Sequence, residues 1–248
     1  MQAQYRLMYL ARSRTIGFRQ RVEQAKRIIG EFLERCSRPY ISFSVGKDSE
    51  AILILLHQMG ICDIPICTQG DDLDFPDKRE YGERIVAHLG HTDYTYAYAD
   101  ISALAQLADE DVSGTFTHVM NRFAVSRRRN GFLMGLRSEE SWHRRRLIKA
   151  FGHIYERKTK YDPVITETVG LPLHNWRGED VMALIVSTDT PYMHVYDRDN
   201  DRMPHEIRFS WMVSPQFFDR DCVAWLRRHY PEQFAKLAQV SPGLLRYT

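Results

Sequence analysis

Long apolar runs are missing from this 248-residue chain, and the stretch Ala51 to Leu56 is far too short to span a bilayer. The opening residues, Met1-Gln2-Ala3-Gln4-Tyr5-Arg6, carry no apolar signal-peptide core. Cysteine is scarce: Cys36, Cys62, Cys67 and Cys222 make no disulfide framework in a chain of this length, so a cytoplasmic, reduced protein is expected. An excess of one charge is lacking too. Lys plus Arg is 34 and Asp plus Glu is 32, a formal net charge of +2. That balance gives no global case for nucleic acid, so any basic site must be local. Internal repeats and low-complexity stretches are also absent. What remains is an ordinary globular composition, with 44% hydrophobic, 27% charged and 12% aromatic residues, and enough length to bury a core without staples.

Apolar residues at Phe18, Val22, Ala25, Ile28, Ile29, Phe32 and Leu33 predict an amphipathic helix from Gly17 to Cys36. Pro39 to Ser44 reads as a strand, Val45 to Ser49 as a turn, and Glu50 to Met59 as a buried helix stopped by Gly60. Asp63 to Thr68 is a second strand, Gln69 to Asp74 an acidic loop, Pro76 to Leu89 a helix, and Tyr94 to Tyr98 a third strand. Ile101 to Asp111 reads as helical and Phe132 to Leu136 as another buried strand, after which the chain turns irregular and basic. Two helices broken at Pro231 are expected between Ser214 and Val240. Strands alternating with helices predict an α/β fold, an open, mostly parallel sheet with helices on both faces. The expected division is an α/β domain over 1–200 and a C-terminal helical extension over 201–248 packed on it.

Ser44-Val45-Gly46-Lys47-Asp48-Ser49 lies between a predicted strand and a predicted helix, where unpaired amides and the helix dipole favour an anion. Gly46 permits close backbone approach, Lys47 adds charge, and Ser44 and Ser49 add hydroxyls. Asp48 fits such a loop if it holds a metal ion, caps the helix or orients a neighbour. The loop is not a Walker A motif, because Asp48 follows Lys47, and no G-x-G-x-x-G occurs. Ser44 to Ser49 resembles the PP-loop, usually Ser-Gly-Gly-Lys-Asp-Ser, with Val45 in place of one glycine. That motif marks the adenine nucleotide α-hydrolase-like ATP pyrophosphatases and the phosphoadenosine-phosphosulfate (PAPS) reductases. The resemblance implies a loop that holds β,γ-phosphates while a nucleophile attacks the α-phosphorus.

Gly135-Leu136-Arg137-Ser138-Glu139-Glu140-Ser141 and Arg144 resemble the Gly-x-Arg-x-x-Glu-Ser-x-x-Arg signature of PAPS reductase-like proteins. Following a predicted strand, they are expected at the C-terminal sheet edge, where open α/β sheets bind ligands. Arg137 and Arg144 suit bidentate contact with phosphate or sulfate, and Glu140 suits orienting one of them. A solvated basic helix face is the alternative for part of Arg144-Arg145-Arg146. Leu171-Pro172, Trp176, Asp180-Val181, Pro191-Tyr192 and Tyr196 also resemble the family pattern, with Trp176 and Val181 read as packing residues and Asp180 as a polar group or a helix-terminal charge. For Asp71, Asp72 and Asp74, two readings stand side by side: Mg²⁺ or ribose binding, and capping of a helix starting at Pro76.

The C-terminal end lacks the reactive cysteine of the reductases, and Cys222 sits inside a predicted helix. No Cys-Cys pair occurs, so no iron–sulfur cluster is expected and core cysteines are the favoured reading. The resemblance, closest to PAPS reductase-like proteins of phage and DNA-modification operons, implies an enzyme using ATP with Mg²⁺. Lys47, Asp48 and Arg137 are its expected catalytic residues, and Asp48 the expected metal contact. Ser44 to Ser49, Gly135, Arg137, Glu140, Ser141 and Arg144 are expected to bind the adenine nucleotide, while the acceptor substrate is not legible. Arg127 to Arg129, Arg144 to Arg146, His153, Arg157, Lys158 and Lys160, interleaved with Trp142, Phe151, Tyr155 and Tyr161, read as a nucleic-acid groove or as the phosphate end of a pocket plus solvated surface. PAPS or adenylyl-sulfate reduction with an external thiol, and a nucleotide-binding module without turnover, are the alternative functions.

Overall fold

The computed structural model describes residues 1–71, 73–99, 113–158, 166–198, 202–207 and 220–247. Among them six strands form one sheet: β1 (Pro39–Ser42), β2 (Ile66–Asp71), β3 (Tyr94–Ala99), β4 (Gly131–Leu133), β5 (Ile154–Lys158) and β6 (Thr166–Gly170). The order is β3-β2-β1-β4-β6-β5. All neighbours run parallel except β5, which pairs antiparallel with β6. Successive strand residues face opposite sides, and the sequence exploits this. Ile41, Ile66 and Leu133 enter one apolar cluster, whereas Tyr40, Cys67 and Phe132 enter another.

Helices cover both clusters, as expected. Helices α1 (Ala3–Ser13), α2 (Ile16–Arg35), α3 (Lys47–Gln58), α4 (Lys78–His88) and α7 (Gly178–Ser187) supply the first. Helices α5 (Ser113–Ser126) and α6 (Trp142–Phe151) lie over the second. Helices α8 (Arg220–His229) and α9 (Pro231–Val240) break at Pro231, and their Val223, Leu226 and Leu237 join the same core as α3. Trp225 and Tyr230 pack there as well, with the Tyr230 ring 4.5 Å from Phe75. The expected helix over 101–111, together with Asp72, Lys160, Tyr161, Trp211, Phe217 and Phe218, lies outside the described residues. Among those described, no helix is long and apolar enough to cross a membrane.

Several boundaries differ from expectation. Strand β2 starts at Ile66 rather than Asp63 and runs through Gln69, Gly70 and Asp71, because pairing with β3 continues to Asp71↔Ala99. Helix α4 starts at Lys78, not Pro76, and Asp74 does not cap it. Its carboxylate instead accepts from the Asp71 amide at 2.8 Å and pairs with Lys78 at 2.6 Å. Strand β4 ends at Leu133 rather than Leu136. The stretch after Arg137 that looks irregular contains α6, β5 and β6. Strand β5 is hard to see because it is an edge strand whose outward residues are charged.

The order of the sheet locates its binding edge. From β1 the chain moves outward to β2 and β3, then returns to β4 on the other side of β1. Ligands of open α/β sheets bind in the crevice at such a reversal, beyond the carboxyl ends of the strands. Residues 43–46 follow β1, and residues 134–141 follow β4, so both predicted motifs meet there.

Helix α3, which leaves that crevice, is buried on nearly all sides, and so is its Glu50. Neither Glu50 carboxylate oxygen has a hydrogen-bond partner among the described residues. Desolvation therefore pushes its pKa well above the ordinary value and keeps the group neutral. A folded pKa above the unfolded one means that the folded chain retains a proton which the unfolded chain releases. Stability is thus full below about the unfolded value and falls as pH rises towards the folded one, by up to about 1.4 kcal/mol per pH unit. Denaturant titrations from about pH 5 to about pH 8 should show this decline, and Glu50→Gln, which cannot titrate, should flatten it. Equal slopes in both proteins would show that Glu50 is not the group responsible.

Candidate active site

The first loop turns sharply after β1. Val45 sits at φ 61° with its side chain fully buried. This left-handed conformation is a true outlier for a β-branched residue and natural for glycine. Ser44 and Ser49, expected to face a phosphate, chiefly knit the turn together. Their hydroxyls lie 3.0 Å apart, the Ser44 amide donates to Ser49 Oγ at 3.1 Å, and Ser49 Oγ donates to the Gly46 carbonyl at 2.9 Å. Of the first amides of α3, that of Lys47 donates to the buried Tyr196 hydroxyl at 3.0 Å and that of Glu50 to the Gly46 carbonyl. The amides of Asp48 and Ser49 have no acceptor among the described residues.

Lys47 departs from expectation most. Its side chain is 2% exposed, and Nζ donates to the Ile207 carbonyl at 2.8 Å beneath the segment 202–207. Asp48 Oδ2 is 3.6 Å from that ammonium, while Asp48 Oδ1 accepts from Arg137 Nε at 2.5 Å. Burial alone would raise the Asp48 carboxyl, but Lys47, Arg137 and Arg144 outweigh it and hold the group below the usual carboxylate range.

Arg137 joins the two loops. The guanidinium is fully buried; besides Asp48 it meets Glu139 at 3.4 Å and Glu140 at 3.9 Å. Its Nη2, 3.9 Å from Glu140, has no hydrogen-bond partner among the described residues, and a buried donor of this kind has capacity for a further acceptor. Glu140 accepts from the Arg137 amide at 3.0 Å and pairs with Arg144, which is half-buried. Ser141 caps α6, accepting from the Arg144 amide at 3.1 Å. Gly135 allows the loops to touch: a Cβ there would lie 2.6 Å from the Asp48 carbonyl.

The loop Ser44 to Ser49 and the segment Gly135 to Arg144 are therefore drawn together. Three cations (Lys47, Arg137 and Arg144) are matched by three carboxylates (Asp48, Glu139 and Glu140). The expected gathering of basic residues at one edge is corrected here, because Arg127 to Arg129 precede β4 and Arg144 to Arg146 follow it, at opposite ends of the strand. Arg157 is used within the fold, bonded to Glu167 at 2.6 Å and stacked over Phe132. Asp180 settles as a helix-terminal group, accepting from the Arg177 amide and pairing with Arg12 at 2.8 Å. Sequence reasoning gave Tyr196 and Glu139 no polar role. Nothing in the local pattern links a tyrosine 149 residues away to the Lys47 amide. Three cysteines stay apart from the crevice: Cys36 contacts Asn130 at the start of β4, Cys62 lies by Leu89, and Cys67 is buried within β2, its thiol pushed up to about 12 by desolvation, while the half-buried Cys222 of α8 meets Arg202 at 3.9 Å.

With this geometry in place, the chain belongs to the phosphoadenosine phosphosulfate reductase domain family, whose model matches residues 38–204. No curated protein matches the sequence significantly. The phosphoadenylyl-sulfate (PAPS) reductase of Candida auris, in its phosphate complex, is similar in structure. Its TM-score is 0.54 at 14% identity, over 70% of this chain and 84% of that one. The FMN adenylyltransferase of Candida glabrata, in complex with FAD and inorganic pyrophosphate, gives 0.57 at 17% identity, over 79% of this chain and 66% of that one. The NMN synthetase of Francisella tularensis gives 0.50 at 13% identity, over 93% and 92%. At these identities the likeness establishes the shared PP-loop adenine nucleotide α-hydrolase fold.

Removing the Val45 side chain tests the strained turn. Val45→Gly forfeits about 1.5–3 kcal/mol of apolar burial but relieves about 1–3 kcal/mol of backbone strain. Denaturant unfolding should therefore show a net cost within about 1 kcal/mol, well below that of an unstrained core valine. A cost above about 3 kcal/mol would mean the turn stores no strain.

Proposed function

We propose that the chain is an ATP-using enzyme that cleaves between the α- and β-phosphates. An acceptor oxygen attacks the α-phosphorus, the bond from that phosphorus to the bridging oxygen breaks, and pyrophosphate leaves with the electron pair. The observation that carries this reading is the Asp48–Arg137 bridge at the sheet's reversal point, with Arg137 Nη2 a buried donor that has no hydrogen-bond acceptor among the described residues. The pyrophosphate-bound Candida glabrata adenylyltransferase, alike in fold, supports it.

The phosphates would sit against the turn from Ser44 to Ser49, where the Asp48 and Ser49 amides and the helix dipole favour anions. Because the side-chain charges nearly cancel, these amides carry more of the attraction than the lysine does. Arg137 would direct Nη2 at charge developing on the α-phosphate, a contact that strengthens in the transition state. Glu140 and Asp48 hold the guanidinium in place, and Arg144 lies one turn further out. Lys47 reaches the phosphates only by giving up the Ile207 carbonyl. Mg²⁺ usually takes one or two carboxylates together with substrate phosphates, and the ionised Asp48, with Oδ2 outside the Arg137 contact, fits as the single protein donor. Such an ion would neutralise phosphate charge.

A second reading, thiol-dependent reduction of PAPS, is favoured by the family match. It would use an external thiol: Cys36 and Cys67 are buried in the core, and sulfite formation that survives Cys222→Ala would remove the half-buried Cys222 as well. Labelled PAPS with thioredoxin decides it by formation of sulfite.

Two variants test the first reading. Asp48→Asn keeps the shape of the side chain but removes the charge facing Arg137, and Arg137→Lys keeps a charge without the fork. Both should cut radiolabelled pyrophosphate release from ATP at least about a hundredfold, with circular dichroism unchanged. Full activity in both would remove the bridge from the mechanism, and tight ATP binding with no release by the wild type would indicate a module without turnover.

A further inference from the structure

Helix α6 starts directly after the Arg137–Glu140 segment and contributes little to the core. Only Arg144, Leu147 and Ile148 are half-buried, and no residue of the helix is fully buried. Trp142, Arg145, Arg146 and Lys149 recur at i, i+3, i+4 and i+7, so they share one face, and all four are exposed. That spacing normally carries an apolar stripe towards a core. Here it carries one aromatic ring and three cations towards solvent. Trp142 is 59% exposed.

The charges are placed against local electrostatics. The helix holds no carboxylate, and its first turns carry Arg144, Arg145 and Arg146 beside the positive end of the dipole, at a cost of about 0.3–1 kcal/mol for each nearby cation. Arg145, Arg146 and Lys149 make no ion pair with any described residue, unlike Arg144. The Arg146 guanidinium stacks over the Trp142 ring at 4.5 Å, so a flat cationic and aromatic platform is already assembled.

We infer that this face of α6 binds single-stranded nucleic acid and presents it to the crevice, making a nucleic acid the acceptor. The inference rests on the proposed adenylating role of that crevice. Phosphates match the three unpaired cations, and an exposed indole offers a stacking surface that an acidic protein would not require. A duplex keeps its bases stacked on one another, which leaves Trp142 without a partner; a single strand does not. Helix α6 spans about 15 Å along its axis, and its cap Ser141 adjoins Glu140, which holds Arg137. A strand lying along the helix is thereby led to the phosphate end of the site.

The test is fluorescence anisotropy of the full chain with a labelled single-stranded oligonucleotide of about twelve nucleotides, without ATP, over a salt series. Trp142→Ala should weaken binding about tenfold, as loss of one stacked base does. The triple variant Arg145→Ala/Arg146→Ala/Lys149→Ala should flatten the logarithmic salt dependence by about 2, near 0.7 for each lost contact. These side chains are exposed, so the variants should keep the wild-type melting temperature. No binding by the wild type, or equal binding by all three proteins, overturns the inference. So does displacement by poly-glutamate at equal charge with Trp142→Ala indifferent, which would indicate an acidic protein surface. ATP binding by the same variants is measured alongside: its persistence when oligonucleotide binding fails leaves the adenylating role standing, and its absence in the wild type defeats that role separately.

Discussion

Two segments 89 residues apart are held together at one point, the bridge between Asp48 and Arg137. Burying a guanidinium completely is tolerable only when carboxylates meet it, because an isolated buried charge costs far more than any nearby contact returns. Asp48 meets it at Nε, Glu140 lies by Nη2, and Glu139 adds a third contact at Nη1. The arrangement constrains both loops. Gly135 must stay without a side chain to let the segment after β4 lie on the Asp48–Ser49 backbone, and the Asp48 carboxylate must stay ionised to hold the guanidinium. Each requirement comes from position in the sheet: β1 and β4 are neighbours only because the chain reverses direction between them.

The same bridge changes the meaning of the overall charge. A net +2 describes a molecule whose candidate site is itself nearly neutral, with three cations set against three carboxylates. Such a site does not attract a triphosphate by bulk potential. It offers a helix terminus, two amides and one guanidinium nitrogen that have no hydrogen-bond acceptor among the described residues, all short-range and directional. Uncompensated positive charge sits one turn further along, on the outer face of α6. On the proposed function, holding the nucleotide and recruiting a polyanion would fall to adjacent but different residues, and salt should affect the second far more than the first.

Much of this was legible in the sequence, because it was encoded locally. The strand–turn–helix from Pro39 to Gln58 follows from apolar spacing and one glycine, and the segment from Gly135 to Arg144 stands out by residue type. The pairing of Asp48 with Arg137 was not legible; it depends on strand order, which no local pattern contains. Lys47 shows the limit most clearly. Its residue type pointed to phosphate, but the carbonyl of Ile207, 160 residues later, occupies its ammonium. Strand β5 and the true extent of β2 were missed for a related reason: edge pairing and register belong to the neighbouring strand as much as to the strand itself.

Val45 brings local and global demands into conflict at one residue. As a sequence it reads as a departure from the two-glycine turn, which would suggest a loop of different shape. The structure keeps the left-handed backbone that glycine adopts freely and puts a β-branched side chain on it. The opposing term is burial, for the side chain is fully enclosed and joins the same core as α3. Strain of this kind persists only where the surroundings over-determine the conformation. Here the Ser44–Ser49 hydroxyl pair and the Tyr196 contact to the Lys47 amide do so. The turn is thus held in shape by hydrogen bonds around it rather than by its own backbone preference. Its shape is therefore fixed before any ligand arrives, and the entropy of ordering it is already spent in folding.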